Sequence, residues 1–322
     1  MERVMIGVDG GGTKTVAVAS RMDGTILAAQ RGIGINYNNV GMEKARDNLK
    51  EVIDGLLAKC GRDYEEICIG MPALDMAADE ALTRQFAGAA FDPARLDMQS
   101  DAYTALQGFT LGKPGMIVIC GTGSILLLMD GKGGQYVQGG WGHMLGDRGS
   151  SHALASAGLC AAIDAWENVG PETALSDAAM RHFSLSNPRQ LIDRIYAPEC
   201  GPHGIAGFAK EVLLLAAQGD GLARAIVEKE MTHVAAQAAA LIHQFPEAYR
   251  VGMYGGVFAH NPLARDLFTD ALTGRIPHAR ISMPEYPPEL GALIHSFQKR
   301  GLLTDQVLSN MKESYGALQA NQ

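Results

Sequence analysis

The 322-residue sequence lacks the features that mark several specialised classes of protein. No apolar run approaches the roughly eighteen residues that a membrane-spanning helix needs. Lysine and arginine form no long run, and a net charge of −8 at pH 7 does not suit a nucleic-acid surface. The first five residues lead directly into a predicted strand, which leaves no room for a signal peptide. We therefore expect a cytoplasmic globular protein that binds neither membranes nor nucleic acid.

The cysteines form no close pair. They are Cys60, Cys68, Cys120, Cys160 and Cys200, and no two of them have the CxxC spacing of a zinc or redox motif. The sequence therefore predicts reduced thiols, with neither a structural zinc site nor a disulfide framework.

The most informative segment that is present is a glycine loop between two predicted strands. An apolar strand ends at Asp9, and the alternating pattern of a second strand covers residues 15–20. Between them lie Gly10, Gly11, Gly12, Thr13 and Lys14. Consecutive glycines predict a turn with positive φ whose N–H groups approach an anion, while Thr13 and Lys14 offer a hydroxyl and a cation. The Walker A loop and the dinucleotide-binding fingerprint are both excluded, because each requires a helix after its glycines.

The same order of elements occurs again in the second half of the chain. A predicted strand at 115–120 leads into Gly121, Thr122 and Gly123, and two further strands follow, as two follow the first loop. With 322 residues, the chain also exceeds the usual size of a single core. We therefore expect two similar lobes whose glycine loops face a shared cleft, although a chance repetition of the pattern remains an alternative.

The segments between and after these repeats alternate between helix and strand patterns. An amphipathic helix ends at Gly61, a strand covers 67–71, a helix covers 80–90, and a strand at 96–99 leads to Asp101 at the start of another helix. Residues 151–245 are rich in helical patterns, and a strand at 250–254 leads into Gly255 and Gly256.

Four glycine motifs follow one another along the chain, at 9–15, 121–124, 139–147 and 255–258. Together they resemble the N-acetylglucosamine kinase family, which belongs with the BadF/BadG/BcrA/BcrD-type ATPases in the actin/hexokinase/Hsp70 superfamily. The resemblance extends from about residue 4 to residue 296, and the Gly-Gly-Trp-Gly-His segment that begins at Gly139 is its most specific part.

This resemblance implies an α/β fold of two ribonuclease-H-like lobes, as in actin-like ATPases, with mixed sheets flanked by helices and a central cleft. The expected N-terminal lobe comprises residues 1–112 and about 288–322, because the last helix is expected to pack back against it. The C-terminal lobe is expected to comprise residues 113–287 and to contain a helical insertion.

Asp101 is the candidate catalytic base. It follows a predicted strand at a helix start, where a side chain can project beyond the carboxyl edge of a sheet. By resemblance it would contact the sugar and accept the proton of a hydroxyl group, since phosphoryl transfer needs mainly positioning and charge stabilisation. The competing interpretation is an N-cap aspartate that carries out no chemistry.

The resemblance also implies a site for ATP and Mg²⁺. Asp9 would hold Mg²⁺ directly or through water, although a carboxylate that only closes the turn is an alternative. Thr13 and Thr122 would donate to the phosphates, and Lys14 would either add its charge or point to solvent. The remaining candidate nucleotide contacts are Gly10, Gly11, Gly12, Gly121, Gly123, Ala206, Gly255 and Gly256.

Candidate sugar contacts come from two further segments. Asn36 resembles the asparagine of the family that contacts the substrate, with Asn38 as an alternative register and turn formation as the competing interpretation. The second segment contributes Gly140, Trp141, Gly142 and Asp147. Taken alone, Trp141 is more typical of a core residue, and His143 of a structural one.

One residue departs from the pattern of the family. After Gly146 and Asp147 the family commonly has an acidic residue, whereas this chain has Arg148. Arg148 either reaches an anionic substituent or phosphate, or lies on a solvated helix start. The sugar is therefore left open among N-acetylglucosamine, glucosamine, N-acetylmuramic acid and other amino sugars.

The sequence is compatible with three functions. The first is an ATP-dependent kinase that phosphorylates the 6-hydroxyl of N-acetylglucosamine or a related amino sugar, expected by resemblance to be a homodimer. The second is a BadF-type ATPase activator of a dehydratase or reductase, which needs cysteines to hold an iron–sulfur cluster between subunits. The third is a non-catalytic sugar sensor. The scattered cysteines count against the activator, and the presence of Asp101 counts against the sensor.

Overall fold

In the computed structural model, which describes residues 3–61 and 63–320, the chain divides into two compact units. The first contains the residues up to Lys113 together with those from Pro284 onward, and the second is Pro114–Met283.

The chain up to Lys113 forms strands and helices in alternation. They are β1 (Val4–Gly10), β2 (Lys14–Ser20), β3 (Ile26–Ile33), α1 (Tyr37–Val40), α2 (Met42–Cys60), β4 (Tyr64–Met71), α3 (Glu80–Ala87), β5 (Leu96–Ser100) and α4 (Asp101–Thr110).

The second unit begins with three strands and continues mostly as helices. Its elements are β6 (Gly115–Cys120), β7 (Ser124–Met129), β8 (Gln135–Gly139), α5 (Ser151–Trp166), α6 (Leu175–His182), α7 (Leu191–Ile195), α8 (Gly201–Ala206), α9 (Ala209–Gln218), α10 (Gly221–Gln244), β9 (Arg250–Tyr254), α11 (Gly256–Ala259), α12 (Pro262–Thr273) and β10 (Arg280–Ser282).

Two final helices, α13 (Pro288–Lys299) and α14 (Asp305–Ala320), return to the first unit. Short 3₁₀ turns lie at Pro93–Arg95, Pro188–Gln190 and Pro246–Ala248. Among residues 3–61 and 63–320, no helix has both the length and the apolar character required to cross a membrane.

Each unit is built around a five-stranded mixed sheet, and the two sheets have the same plan. The strand orders are β3-β2-β1-β4-β5 and β8-β7-β6-β9-β10. In each sheet the first three strands of the chain pair antiparallel, and the last two extend the sheet in parallel. The repeated order predicted from the sequence is therefore a repeated fold, and the predicted α/β class with two sheet-centred lobes is confirmed.

Strand β1 has apolar side chains on both of its faces, at Val4, Met5, Ile6 and Val8, because both faces are covered. Val4, Ile6 and Val8 belong to a core cluster with residues of α2, including Leu49 and Ile53. Met5, on the opposite face, packs in a cluster with Leu290, Leu293 and Phe297 of α13. A strand buried on both faces shows continuous rather than alternating hydrophobicity.

Helix boundaries follow local capping. The predicted end of α2 at Gly61 is confirmed, and the Gly61 N–H donates to Leu57 O at 2.8 Å. The predicted end of α3 at residue 90 is wrong. Gly88 caps this helix after Ala87, and its N–H donates to Arg84 O at 3.1 Å, because glycine readily adopts the conformation that ends a helix.

Candidate active site

Asp9 and Asp101 lie at the same edge of the first sheet. Asp9 pairs with Gly70 where parallel strands β1 and β4 end, and Asp101 directly follows β5, the next strand. A Cβ atom on Gly70 would lie 3.3 Å from the Cα of Asp101 and would overlap Thr104 Oγ1. Because Gly70 has no side chain, the first turn of α4 can pack closely against β4, next to the position that pairs with Asp9.

Asp101 is not the N-cap of α4. Ser100 has this role, since its Oγ accepts a hydrogen bond from Tyr103 N at 3.1 Å. Asp101 is the first helical residue, and its Oδ1 accepts from Ala102 N at 2.7 Å. The N-cap interpretation is therefore wrong. Burial raises the pKa of Asp101, partly offset by the Ala102 hydrogen bond, so its carboxylate is a better proton acceptor than an exposed aspartate.

Asp9 has the more strongly perturbed carboxyl group. Burial, followed by the negative charges of Glu289 and Asp101, raises its pKa from 3.8 to about 7, although the positive charge of Lys14 acts in the opposite direction. A nearby cation would stabilise the ionised form of Asp9, because it would offset both the lost hydration and the repulsion from Glu289 and Asp101.

Glu289, in the first turn of α13, is a site residue that sequence reasoning missed. It is 5% exposed, and it accepts a hydrogen bond from the Tyr315 hydroxyl. Burial raises its pKa, and the Tyr315 hydrogen bond lowers it. The first turn of α13 lies directly against β1, since a Cβ atom on Gly7 would overlap Glu289 O. No local sequence motif predicts this contact, because Gly7 and Glu289 lie far apart in the chain.

The first glycine loop is a close-packed turn. Gly11 N–H donates to Lys14 O at 2.8 Å, which closes the hairpin between β1 and β2. The prediction of positive φ is wrong, because none of Gly10, Gly11 and Gly12 has φ in the left-handed region. Space is the reason for glycine at two of these positions: a Cβ atom would lie 2.6 Å from Gly70 O at Gly10 and 2.6 Å from Lys14 O at Gly11.

Thr13 and Lys14 both lie on the exposed tip of this hairpin. Lys14 begins β2 and is exposed, yet its charge acts on the carboxyl groups of both Asp9 and Glu289. The solvent-facing alternative for Lys14 therefore agrees with the structure, and its contribution to the phosphates stays a prediction.

Asn36 lies beside the glycine loop. The segment that precedes it runs along the loop, since Ile35 N donates to Gly11 O at 3.1 Å and a Cβ atom on Gly34 would overlap Gly12 O. Asn36 is the N-cap of α1, and its Oδ1 accepts from Asn38 N at 3.0 Å. The turn-forming interpretation of Asn36 is therefore correct for its carbonyl oxygen, while its NH₂ group is available to donate.

The second glycine loop is fixed by the first turn of α5. Ser151 N donates to Gly121 O at 2.8 Å, and His152 N donates to Thr122 O at 3.3 Å. Thr122 Oγ1 lies 3.3 Å from Nδ1 of His203 on α8. As in the first loop, neither Gly121 nor Gly123 has positive φ.

A cavity of about 660 Å³ in the second unit brings together two segments that the sequence assigned to the nucleotide. Ala206, at the end of α8, and Gly256, at the start of α11, both line it, with Lys210 and Asn261. Gly255 lies between β9 and Gly256 with φ of 98°, and a Cβ atom there would overlap Cys120 O at the end of β6. Only glycine fits both the conformation and the space at this position.

The glycine-rich segment between β8 and α5 is an exposed loop with a buried end. Trp141 is 72% exposed, so the interpretation of Trp141 as a core residue is wrong. Gly140 and Gly142, on either side of it, have positive φ. Asp147 is 9% exposed with φ of 54°, and a Cβ atom on Gly123 would lie 2.7 Å from Asp147 Oδ2. The Asp147 carboxylate therefore lies against the second glycine loop.

Two other residues of this segment, His143 and Arg148, have partners within the protein. The His143 ring is exposed, and its centroid lies 4.9 Å from that of His152. Arg148 pairs with Glu230 of α10, a residue that sequence reasoning missed because it lies 82 positions away: Nε is 3.0 Å from Oε2, and Nη2 is 2.7 Å from Oε1.

The candidate residues thus form two groups, one in each unit. The first group is Asp9, Gly10, Gly11, Gly12, Thr13, Lys14, Asn36 and Asp101, with Glu289 added by the structure. The second group is Gly121, Thr122, Gly123, Gly140, Trp141, Gly142, Asp147, Ala206, Gly255 and Gly256.

Comparison with protein families matches residues 6–296 of the chain to the BadF/BadG/BcrA/BcrD ATPase family. The chain belongs to this family. The family assignment confirms the resemblance inferred from the four glycine motifs.

Individual relatives are similar over nearly their whole length. The chain is 27% identical over 310 residues to N-acetyl-D-glucosamine kinase of Dictyostelium discoideum. The alignment covers 91% of this chain and 97% of the relative. It is 27% identical over 298 residues to N-acetylmuramic acid/N-acetylglucosamine kinase of Clostridium acetobutylicum, with the same coverage of 91% and 97%.

Solved structures show the same fold. A candidate N-acetylglucosamine kinase from Chromobacterium violaceum superposes with a TM-score of 0.75 at 27% identity, covering 91% of this chain and 98% of that one. A ROK family glucokinase from Streptomyces griseus superposes with a TM-score of 0.60 at 18% identity, covering 92% and 99%. The second likeness concerns the fold alone.

Proposed function

We propose that this BadF/BadG/BcrA/BcrD family member is an ATP-dependent kinase that phosphorylates the 6-hydroxyl of N-acetylglucosamine or a related amino sugar. The observation that carries the proposal is Asp101, a partly buried carboxylate at the carboxyl edge of the sheet, where Ser100 already fills the role of N-cap. The kinase relatives, similar over almost their whole length, support the same reading.

Asp101 acts as the general base. Its raised pKa suits a group that takes a proton from a sugar hydroxyl as the oxygen attacks phosphorus. The Ala102 N–H holds Oδ1, so the carboxylate is oriented before substrate arrives. Proton removal and alignment are the main tasks left to the protein in phosphoryl transfer.

Asp9 fits a Mg²⁺ ion. Its carboxyl group is pushed towards protonation by burial and by the charges of Glu289 and Asp101, which is the environment that a cation relieves. Among the described residues there is no group of three or more side chains suited to holding a metal. Asp9 would therefore hold the ion directly or through water, because Mg²⁺ keeps several waters and takes one or two carboxylates. Bound Mg²⁺ would neutralise charge that develops on the phosphates.

The two glycine loops and the cavity of the second unit are assigned to ATP. Backbone N–H groups of both loops, with the hydroxyls of Thr13 and Thr122, would donate to phosphate oxygens, and Lys14 would add charge. The cavity lined by Ala206 and Gly256 is of a size that holds a small ligand, and we assign it to the adenosine part of ATP.

The sugar is assigned to polar groups beside these loops. The Asn36 NH₂ group would donate to a hydroxyl, and the Asp147 carboxylate would accept from one. The segment of Gly140, Trp141 and Gly142 would supply backbone groups and an exposed aromatic face.

The remaining parts of the proposal rest on the resemblance. They are a homodimeric state and a cytoplasmic location. The activator alternative is not favoured, because the five cysteines are dispersed over both units and two of them, Cys68 and Cys120, are buried in the cores.

The test is Mg²⁺-dependent ADP release with N-acetylglucosamine, glucosamine, N-acetylmannosamine, N-acetylmuramic acid and glucose. We expect one or more amino sugars to stimulate release, and Asp101→Asn to lower kcat about 10²- to 10⁴-fold. Asp79→Asn is the matched control, since Asp79 caps α3 through Leu82 N at 2.8 Å and asparagine caps equally well. ADP release without sugar dependence, or an Asp101→Asn variant of full activity, would contradict the proposal.

A further inference from the structure

The ion pair between Arg148 and Glu230 has the geometry of a rigid clamp. Two guanidinium nitrogens meet two carboxylate oxygens, Nε to Oε2 at 3.0 Å and Nη2 to Oε1 at 2.7 Å. Glu230 Oε2 also accepts from Gly149 N at 2.8 Å. The Glu230 side chain is 6% exposed and that of Arg148 is 37% exposed. Bidentate, charge-assisted pairs of this kind fix orientation as well as distance.

The Arg148–Glu230 ion pair restrains the end of the loop that carries Asp147. Ser124 Oγ donates to Arg148 O at 2.8 Å, so the backbone of Arg148 is held from β7 while its side chain is held from α10. A Cβ atom on Gly149 would overlap Val234 of α10, which shows how closely the loop packs on that helix. Residue 148 is thus restrained on both sides.

Asp147 needs such a restraint. Its φ of 54° lies in the left-handed region, which aspartate tolerates better than most side chains but still adopts at some cost in energy. The residue is buried, and its carboxylate lies against the second glycine loop. Among the described residues, none donates a hydrogen bond to it. A carboxylate without a donor from the protein, held against the second glycine loop, can accept from a donor that comes from outside the protein.

We propose that the Arg148–Glu230 pair is a positioning device that holds Asp147 in the conformation required to accept a hydrogen bond from the sugar. This inference rests on the proposed function, in which Asp147 binds the substrate. It makes Arg148 a positioning residue rather than a ligand of an anionic substituent, because the guanidinium edge formed by Nε and Nη2 is already committed to Glu230. The charge reversal relative to the family pattern then changes how the loop is anchored and does not select an acidic sugar.

The first arm of the test is kinetic, with Arg148→Met and Glu230→Gln compared on a neutral sugar, N-acetylglucosamine, and an anionic one, N-acetylmuramic acid. Displacement of a binding group by about 1 Å can cost up to about 100-fold, and we expect KM for whichever of these sugars the protein uses to rise about 10-fold or more in both variants. KM for ATP should change little. Arg148→Lys, which keeps the charge but loses the fork, should be intermediate.

Two further variants separate positioning from general stability. The double variant Arg148→Met/Glu230→Met should raise KM for the sugar by less than the product of the two single effects, because the ion pair that both side chains share is lost only once. Arg300→Met is the matched control: Arg300 pairs with Glu66 at 3.1 Å in the first unit with similar side-chain exposure, 31% and 10%. It should lower thermal stability and leave KM for the sugar unchanged.

The second arm does not depend on catalysis. Hydrogen exchange reports the loop directly through Gly146 N, which donates to Gly142 O at 2.8 Å, and Ser150 N, which donates to Asp147 O at 3.1 Å. We expect both amides to exchange faster in Arg148→Met and Glu230→Gln, and not in Arg300→Met.

The outcomes distinguish this inference from the proposed function. If the unmodified protein phosphorylates a sugar but the two variants keep the wild-type sugar KM and wild-type exchange, the inference is overturned and the function stands. The inference is also overturned if Arg148→Met raises KM for N-acetylmuramic acid alone and Glu230→Gln has no effect, because Arg148 would then be a direct ligand. Absence of sugar phosphorylation by the unmodified protein would overturn the proposed function itself.

Discussion

Replacement of Asp9 by asparagine should stabilise the protein while it removes activity. The side chain keeps its shape, but the negative charge is lost from an edge where burial, Glu289 and Asp101 all oppose ionisation. A carboxyl group whose ionised form is disfavoured by its surroundings is typical of functional sites, where residues are selected for chemistry rather than for stability. The prediction therefore tests whether Asp9 is held ready for a cation.

The magnitude follows from the pKa. A rise from 3.8 to about 7 corresponds to about 4 kcal/mol, which is an upper limit on the cost of ionised Asp9 in the folded state. The folded protein binds this proton more tightly than the unfolded chain, so stability falls as pH rises from about 4 to about 7. Below that window Asp9 is protonated in both states and the cost vanishes. Above it, the whole cost is present.

The assay is thermal unfolding of wild type and Asp9→Asn from pH 4 to pH 8, without Mg²⁺ or nucleotide. At pH 8 we expect Tm of the variant to be higher by about 5 to 15 °C, since about 1 kcal/mol shifts Tm by 2–4 °C in a domain of this size. The difference should shrink towards zero near pH 4. Mg²⁺ with ATP should then stabilise wild type more than the variant, because only wild type keeps the proposed ligand.

Asp97 provides a control of opposite sign in the same unit. Burial opposes its ionisation, but hydrogen bonds from His295, Lys299 and Gln99 outweigh burial and hold its pKa below the usual range. A depressed folded pKa gives stability that is present above the unfolded pKa and is lost as pH falls. Asp97→Asn should therefore lower Tm at pH 8. An Asp9→Asn variant no more stable than wild type at pH 8, or a gain that is the same at pH 4, would refute the reasoning.

Two further predictions concern backbone space and metal binding. Gly255→Ala should lower Tm and raise KM for ATP, because the φ of 98° and the nearby Cys120 O leave no room for a methyl group. Gly256→Ala is the control. A Cβ atom at Gly256 has no neighbour within 4 Å, so this variant should keep the wild-type Tm in the same melting experiment. The apparent Mg²⁺ requirement should rise about 10-fold for each pH unit below about 7 and level off above it, because protons compete with the metal for Asp9. Titration of Mg²⁺ at several pH values in the ADP-release assay checks this, and a flat profile would exclude Asp9 as the ligand.

Much of the fold could be predicted because its signals are local. Alternation along strands, the apolar face of α2 and the glycine after it are readable within one or two turns of chain, and they gave the repeated strand order that both sheets show. Asp101 could also be predicted, since a strand that leads into a helix start is a sequence pattern.

The rest depends on contacts between distant parts of the chain. The charge of Glu289 acts on Asp9 only because α13 packs against β1. Glu230 pairs with Arg148 only because α10 packs on the loop after β8. Sequence reasoning also assigned the glycines of the first loop to positive φ, whereas the neighbouring backbone excludes side chains at Gly10 and Gly11 for reasons of space. Such spatial reasons become visible only in the folded chain.

The most direct measurement of the central claim is phosphorus NMR of the reaction products from ATP, Mg²⁺ and an amino sugar. The kinase account predicts a new sugar phosphomonoester, formed in equal amount with ADP and coupled to the two protons on carbon 6 of the sugar. It also predicts that this signal is absent with Asp101→Asn. Inorganic phosphate and ADP without any sugar phosphate would contradict the account and point to an ATPase instead.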